Sequence, residues 1–571
     1  MFTKLFHRYP FLSRYYPYIL ISLAVFLVYF QILNFDFSFF DDNQLIISNF
    51  SFLKNPANII QAFKDDVFLA PVDAYYRPLL TLSFMFDSQL LNQTPSPFIF
   101  HLTNLAIHLI TSLLLFRFFQ KFHLSHSKSL FFSLVFAVHP ALTQAVAWIP
   151  GRNDSLLTLF TIAAFSYFVD YISSLKKTNL FASLLFFAFA LFTKETTLIF
   201  PLITAVYLLT CISKKIPVTR LVHYYFGILL TVIFWLVLRH FALSANPLKL
   251  DPNLLFSSFI NNSPAILVYL GKAVIPANLS VLPILAGTSL LAGFLSFALL
   301  VVLVYSSFCE KTEGSQPSVY FSPRKKTSII LFGSLWFLLF LLPSLPRPTP
   351  QFAPEFLEHR LYLPIAGLFL IISEISLPLK LTKTHFVITG SAVILILATL
   401  NIFHTRSFRD PVTFWLSAVQ SSYRSPLAHR NLGAMYYLSG KLEAAKSEFT
   451  IALSLNPREP MAHNNLGLIY ASQDQLELAE AEYQKELEIN PEYDDVHFNL
   501  GVLYFKKNQI NQAIKFWERT ININPYYLSA YRNLAIAYYQ KGNPATATRY
   551  LQEFRQRGGI ISSPFPKTPL Q

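Results

Sequence analysis

The chain has 571 residues, 53% of them hydrophobic and 16% aromatic against 13% charged, and its mean hydropathy is positive, which excludes an ordinary soluble protein. The formal net charge of +14 does not mark a nucleic-acid partner, because the lysines and arginines fall in short loops between apolar runs and so report topology. The two cysteines, Cys211 and Cys309, support neither a disulfide framework nor a metal cluster, and no essential metal or cofactor is expected.

Taken in chain order, the first apolar run covers residues 18–33. It has no small-residue cleavage site and continues into Phe35-Asp36-Phe37, so it reads as a retained signal anchor. Ten further runs follow, at 98–119, 130–148, 156–172, 180–192, 197–212, 221–238, 285–308, 328–345, 363–379 and 385–403. Each can cross a bilayer when modestly tilted, which makes about eleven spans. The fifth and sixth form a tight hairpin around Lys194-Glu195, and residues 266–282, interrupted by Lys272 and two prolines, read as interfacial.

Lys/Arg bias orients these spans. Lys4, Arg8 and Arg14, then Lys121 and Lys128, then Lys176 and Lys177, then Lys214, Lys215 and Arg220, then Arg324, Lys325 and Lys326, then Lys380 and Lys383 fall after alternate spans and mark the cytoplasmic face. The opposite face receives the Asp41-Asp42 loop, Arg152-Asn153-Asp154, Lys194-Glu195, Glu358-His359-Arg360 and everything after residue 404.

Beyond a connecting segment at 405–427 lies a repeat array at 428–556, followed by a tail at 557–571. HRNLGAMYYLSGKLEAAKSEFTIALSLNP (from His429), HNNLGLIYASQDQLELAEAEYQKELEINP (from His463) and HFNLGVLYFKKNQINQAIKFWERTININP (from His497) align without a gap, and a truncated copy starts at Tyr531. The 34-residue period, with an alanine at Ala445, Ala479, Ala513 and Ala547, identifies the tetratricopeptide repeat. Its stacked helical hairpins curve into a groove. Asn431, Asn465, Asn499 and Asn533 recur once per repeat, and amides in such a column can hydrogen-bond an extended acceptor peptide. The bland alternative is a common repeat residue that serves solubility. The fold class is therefore all-α: a polytopic membrane helix bundle over 1–404 followed by an α-solenoid.

The acids Asp41 and Asp42, inside FFDDNQLI, emerge where the first span meets water. A carboxylate there can act as a base in a reaction at the membrane surface. Nucleotide sugars are not supplied outside the cytoplasm, and the chain has no Gly-rich phosphate loop, so an activated sugar would arrive on a lipid. Such a transfer needs one base and cations to stabilise the departing phosphate. Arg77, Arg152, Lys194 and Arg360, at external helix ends, are candidates for that phosphate, each against an alternative as an interfacial anchor. His139, inside the third span, faces either a polar cavity or a neighbouring helix. Asp154 is a possible second acid or a helix N-cap. His101 and His108 share one helix face and line either a lipid-phosphate path or the core.

YYRPLLTLSF (Tyr75 to Phe84), PFIFHLTNLAIH (Pro97 to His108), FAVHPALTQAVAWIPGRND (Phe136 to Asp154) and HRLYLPIAG (His359 to Gly367) resemble the motifs of the transmembrane and tetratricopeptide-repeat containing (TMTC) family. The resemblance implies a GT-C glycosyltransferase-like membrane domain followed by repeats. It also implies protein O-mannosylation from a polyprenyl-phosphate sugar of undecaprenyl or dolichyl type, by an inverting mechanism. By similarity to GT-C enzymes Asp41 is the catalytic base, and Asp42 orients it or the acceptor. The chain departs from the family where relatives often read His-Pro-x-His-Thr-Glu, having Leu142 and Gln144 instead. The resulting expectation is an integral membrane O-glycosyltransferase with its repeats periplasmic in a bacterium, or lumenal in an endoplasmic reticulum. A non-catalytic membrane scaffold, and a ligase or polymerase with a non-protein acceptor, are the other classes the sequence allows.

Overall fold

In the computed structural model of the chain the described residues are 10–69, 75–174, 176–212, 216–243, 251–309, 323–346, 355–375 and 382–559. Lys4, Arg8, Lys214, Lys215 and Lys380 lie outside them. The described residues are helical and contain no β-strand, and the chain divides into two compact units, Met1–Ser422 and Tyr423–Gln571.

In the first unit, seven helices among the described residues are long and apolar enough to cross a membrane. They are α1 (Pro10–Tyr29, continued by the turn Phe30–Asn34), α3 (Pro97–Lys121), α5 (Arg152–Ser174), α8 (Val218–Ala242), α11 (Leu291–Cys309), α12 (Pro323–Leu341) and α14 (Lys383–Thr405). The outer faces of α8, α11 and α14 expose continuous Leu, Ile, Val and Phe side chains, a surface that water would not tolerate and lipid does. Other helices of this unit include α2 (Pro78–Gln89), α4 (His126–Val138), α6 (Lys177–Thr193), α7 (Phe200–Cys211), α9 (Pro252–Asn262), α10 (Ala265–Val274) and α13 (Ile365–Ser373). The chain is thus a multi-pass membrane protein.

The expected spans differ from the described helices at several points, the fifth and sixth being the shorter apolar helices Lys177–Thr193 and Glu195–Cys211. The third is broken, because α4 ends at His139-Pro140 and the chain continues through short turns to Ala147, bent by 56°; Pro140 cannot donate to the helical ladder. The interfacial segment 266–282 contributes α10, the second arm of a pair with α9 that passes the length test only jointly and bends by 40°. The tenth span holds only the nine-residue α13, and residues 376–381 fall outside the described part.

Close helix crossings use glycine. A Cβ on Gly333 of α12 would lie 2.5 Å from Gly367 O of α13, and one on Gly367 would lie 2.4 Å from Gly333 O, so backbone meets backbone as small residues permit in membrane helix pairs. One end of the bundle gathers basic groups. There Lys121 pairs with Asp170, Lys128 donates to Ser373 O (2.7 Å), and Lys326 donates to Ser307 O (2.9 Å). The other end gathers the acidic loop, the α6–α7 turn and the segment before α13. The chain leaves the unit at that same end: Asp36 N donates to Arg409 O (2.9 Å), and Ser422 Oγ donates to Leu282 O (2.7 Å).

The second unit stacks four helical hairpins, Pro426–Leu438 with Leu442–Leu455, Ala462–Ser472 with Leu476–Ile489, Asp494–Lys506 with Ile510–Ile523, and Leu528–Gln540 with Pro544–Gln556. Within three of them a glycine seats an aromatic ring: Gly433 on Phe449, Gly467 on Tyr483 and Gly501 on Trp517. In the first two repeats the opening histidine pins the partner helix, His429 Nδ1 to Glu448 and His463 Nδ1 to Glu482, both at 2.6 Å. In the third repeat Phe516 takes the glutamate's place and stacks on His497.

Candidate active site

The acidic loop is a closed turn. Ser38 donates its backbone N–H (2.5 Å) and its hydroxyl (2.6 Å) to Asp42 Oδ2. Phe39 and Asp41 take left-handed backbone conformations, φ 56° and 66°, which cost energy for residues with a Cβ and occur where surroundings enforce them. Phe40 supplies the enforcement: its ring stacks on Trp148 at 5.1 Å, touches Phe414 and Trp415, and its carbonyl accepts from Trp148 Nε1 (2.8 Å). The result separates two neighbouring acids. Asp41 is half-buried, whereas Asp42 is 1% exposed, and burial pushes the Asp42 carboxyl up to about 7 against the opposing hydrogen bonds from Ser38.

The Trp148 ring also meets His359, ring to ring at 5.2 Å, and with it a cluster of charges. Asp154 Oδ2 meets Lys194 Nζ at 2.7 Å and His359 Nε2 at 3.4 Å. Beside this pair Arg77 grips Glu195 with two contacts, 2.7 and 3.2 Å, and stands over the Tyr75 ring. The Asn153 amide bridges them, its oxygen toward Arg77 Nη1 and its NH2 toward Thr193 O, both 3.0 Å. Arg360, half-buried, donates to Glu355 O (2.9 Å). The segment carrying His359 and Arg360 is anchored by Glu358, which is fully buried and bound by Lys272 (2.5 Å), Ser280 N (2.7 Å) and His404 (3.2 Å).

Of the predicted phosphate ligands, Arg77, Lys194 and Arg360 thus stand near Asp154, while two others are placed elsewhere. Arg152 is fully buried in an ion pair with Asp87 (2.6 Å). Its remaining donors go to Asn104 Oδ1, Ser83 O, Ser83 Oγ and Phe100 O, so no N–H of the guanidinium is left for a ligand. His139 caps the broken span, its Nδ1 accepting from Ala141 N (3.3 Å) and its Nε2 bonding Ala273 O (3.1 Å). His108 bonds Tyr362 OH (2.6 Å) and Ala137 O (3.1 Å), and His101 packs edge-on against Phe35, both as core residues. Asp154 is no bare N-cap, being engaged by Lys194. The sequence did not single out Glu195, Trp148, His359 and the Lys272–Glu358–His404 group as site residues. Their partners lie 46 to 215 residues away in the chain, beyond any local signal.

In the repeat unit Asn431, Asn465 and Asn499 are half-buried, and Asn533 is fully buried, so the fourth amide is not on offer to a peptide in this arrangement. Asn499 Nδ2 donates to Asn464 Oδ1 of the preceding repeat (2.9 Å).

Comparison with known proteins finds the repeats and several partial relatives. A TPR repeat family model matches residues 467–508 and 503–542. The Protein O-mannosyl-transferase F38B6.6 of Caenorhabditis elegans is 31% identical over 158 residues, 26% of this chain and 22% of that protein. Human Protein O-mannosyl-transferase TMTC3 is 33% identical over 22% of this chain and 14% of its own length. Mouse Protein O-mannosyl-transferase TMTC1 is 38% identical over 16% and 9%. The likeness to TMTC proteins read from the sequence is borne out, although the matched stretches span less than a quarter of those relatives. Among solved structures, a crystal structure of MamA is 19% identical over 31% of this chain and 96% of its own, with a TM-score of 0.24, too low to bear on the fold.

Proposed function

We propose that this chain, a relative of the TMTC proteins, is a membrane glycosyltransferase that moves a sugar from a polyprenyl-phosphate donor to hydroxyl groups of protein acceptors. Mannose is the sugar its relatives' names favour. The observation that carries the reading is the coupling of a strained, locked acidic loop to a cation cluster through one shared ring pair, Trp148 on Phe40 and on His359. Asp41, held in a left-handed conformation and half open, takes the proton of the acceptor hydroxyl as its oxygen attacks the anomeric carbon. Asp42 locks the turn through Ser38. Arg77, Lys194 and Arg360 balance the charge of the phosphate as it leaves, and inversion at carbon follows from attack opposite the phosphate.

The reaction face is the non-cytoplasmic one, since basic groups crowd the other end of the bundle. It is the periplasmic face if the host is a bacterium and the lumenal face if it is a eukaryote. The repeats, through Asn431, Asn465 and Asn499, hold the protein acceptor on that side.

The test is sugar transfer from a synthetic polyprenyl phosphomannose to protein by the purified full-length chain. Asp41→Asn keeps size and hydrogen bonding but cannot accept a proton, so transfer falls by about two to four orders of magnitude while donor binding persists. Full activity in a folded Asp41→Asn protein sinks the assignment of the base; no transfer by wild type to any protein, with intact donor binding, favours a non-protein acceptor.

A further inference from the structure

Aromatic rings lead from the charge cluster at Asp154 to α8. Tyr76, next to Arg77 in the chain, and Phe192, two residues before Lys194, meet at 6.2 Å. Tyr76 reaches the Trp235 ring at 6.3 Å, and Phe192 reaches the Phe234 ring at 6.2 Å. The last turns of α8 therefore lie at the same end of the bundle as Arg77 and Lys194. Its first turn is at the other end, where Tyr171 OH donates to Arg220 O (3.4 Å). Arg239 stands four residues after Trp235, hence on the same helix face, and its guanidinium lies over the Trp235 ring, 5.7 Å from the centroid. Trp235 is buried, whereas Phe234, Leu236 and Val237 around it are exposed. An arginine serving only as an interfacial anchor extends its head outward; Arg239 is half-buried and folds back on a buried ring.

Arg239 has neither a carboxylate nor a hydrogen-bond acceptor among the described residues, and the buried Trp235 Nε1–H has no acceptor among them either. A guanidinium and an indole N–H can only donate. Two donor groups stacked on each other without an acceptor are an incomplete set, and burial makes the deficit costly. An anion with several acceptor oxygens completes it, and at a helix whose outer face meets lipid the anion that arrives is the phosphodiester of a lipid.

We infer that Arg239 and Trp235 form a lipid-phosphate subsite at the edge of the bilayer, where the guanidinium lifts from the ring and, together with Trp235 Nε1–H, binds a phosphodiester. That this lipid is the polyprenyl-phosphate donor rests on the function proposed above. The subsite then receives the donor from the bilayer and is linked through Tyr76 and Phe192 to Arg77 and Lys194, where the phosphate departs. A glycerophospholipid headgroup offers the same phosphodiester and is the other source of the ligand.

The experiment titrates polyprenyl phosphomannose, and separately phosphatidylglycerol, into the purified full-length chain in a maltoside detergent, which carries no phosphate. Wild type binds the polyprenyl lipid. Arg239→Gln weakens that binding about tenfold or more, and Trp235→Phe, which keeps a ring and loses the N–H, weakens it about threefold. His240→Gln, at the exposed neighbouring position, leaves it unchanged, and thermal unfolding shows that each variant is folded. Donor affinity that falls in Arg77→Gln and stays at the wild-type level in folded Arg239→Gln and Trp235→Phe chains overturns the subsite while sparing the proposed function. Binding of phosphatidylglycerol and not of polyprenyl phosphomannose, with the same losses in the two variants, upholds the subsite as a headgroup site and sinks the donor reading. Binding of neither lipid overturns the subsite.

Discussion

Asp41 and Asp42 are adjacent in sequence and unlike in circumstance, and the difference can be read as stability. Asp42 is buried with one oxygen on Ser38 and the other without a hydrogen-bond partner among the described residues, so its ionisation is opposed by desolvation and, in smaller part, by Asp41. A carboxyl whose folded value is raised from 3.8 to about 7 favours folding when protonated. That advantage is fully present below the unfolded value and is lost as pH rises through about 7. Asp42→Asn keeps an acceptor for Ser38 and removes the charge. At pH 8 it should therefore unfold at a higher temperature than wild type, by an amount corresponding to at most about 4 kcal/mol, and the gap should vanish near pH 4. Thermal unfolding of both proteins across pH 4 to 8 checks this, and a gap independent of pH would show that Asp42 ionises alike in the folded and the unfolded chain. The wild-type acid is then a group retained at a cost in stability, as expected where a locked loop serves a reaction.

At the scale of elements, the membrane helices are held by contacts that leave no room for a side chain. Gly367→Ala places a methyl against Gly333 O, and since that neighbour is backbone, α12 and α13 must separate. Because α13 follows directly on the segment bearing His359 and Arg360, the expected result is a loss of about 1–3 kcal/mol and weaker donor binding together, measured by thermal unfolding and by affinity. Thermal stability and donor affinity equal to wild type would show that the crossing is looser than its distances imply. The long apolar runs were legible because composition alone marks them, and the repeats because a 34-residue period survives in sequence. The break at His139-Pro140 was not, since an apolar run continues on both sides of it and only the proline announces a bend. Nor was the pairing of α9 with α10: α9 contains Ser257, Ser258 and three asparagines, which depress its hydropathy below what a single span shows. Arg152 misled for a related reason. An arginine at a predicted helix start reads as a free cation, and the acid that neutralises it, Asp87, lies on a short helix whose burial no periodicity reveals.

At the scale of the whole chain, the proposed function gives chemistry and capture to separate units, and they should fail separately. The membrane unit holds every group assigned to the transfer, while the repeat unit contributes half-open amides in three of its four hairpins. Asn499 already serves the array by donating to Asn464, and Asn533 is buried, so Asn431 and Asn465 are the pair whose replacement tests capture with least disturbance of the stack. Each amide contact to an extended acceptor is worth roughly 0.5 to 1.5 kcal/mol, and two that add lower the apparent affinity for a full-length acceptor by about five- to a hundredfold. Transfer to a short diffusible peptide, which gains nothing from being held near the site, should stay at the wild-type rate, because the repeats act through local concentration and the bond is made elsewhere. The measurement is the ratio of transfer to full-length protein over transfer to minimal peptide, in wild type and in Asn431→Ala/Asn465→Ala. A ratio that falls assigns capture to the amides. Equal losses on both acceptors would place the damage in the membrane unit, and a ratio equal to wild type would return the asparagine column to an ordinary feature of the repeat, leaving the His–Glu contacts between helices as what the array's polar residues are for.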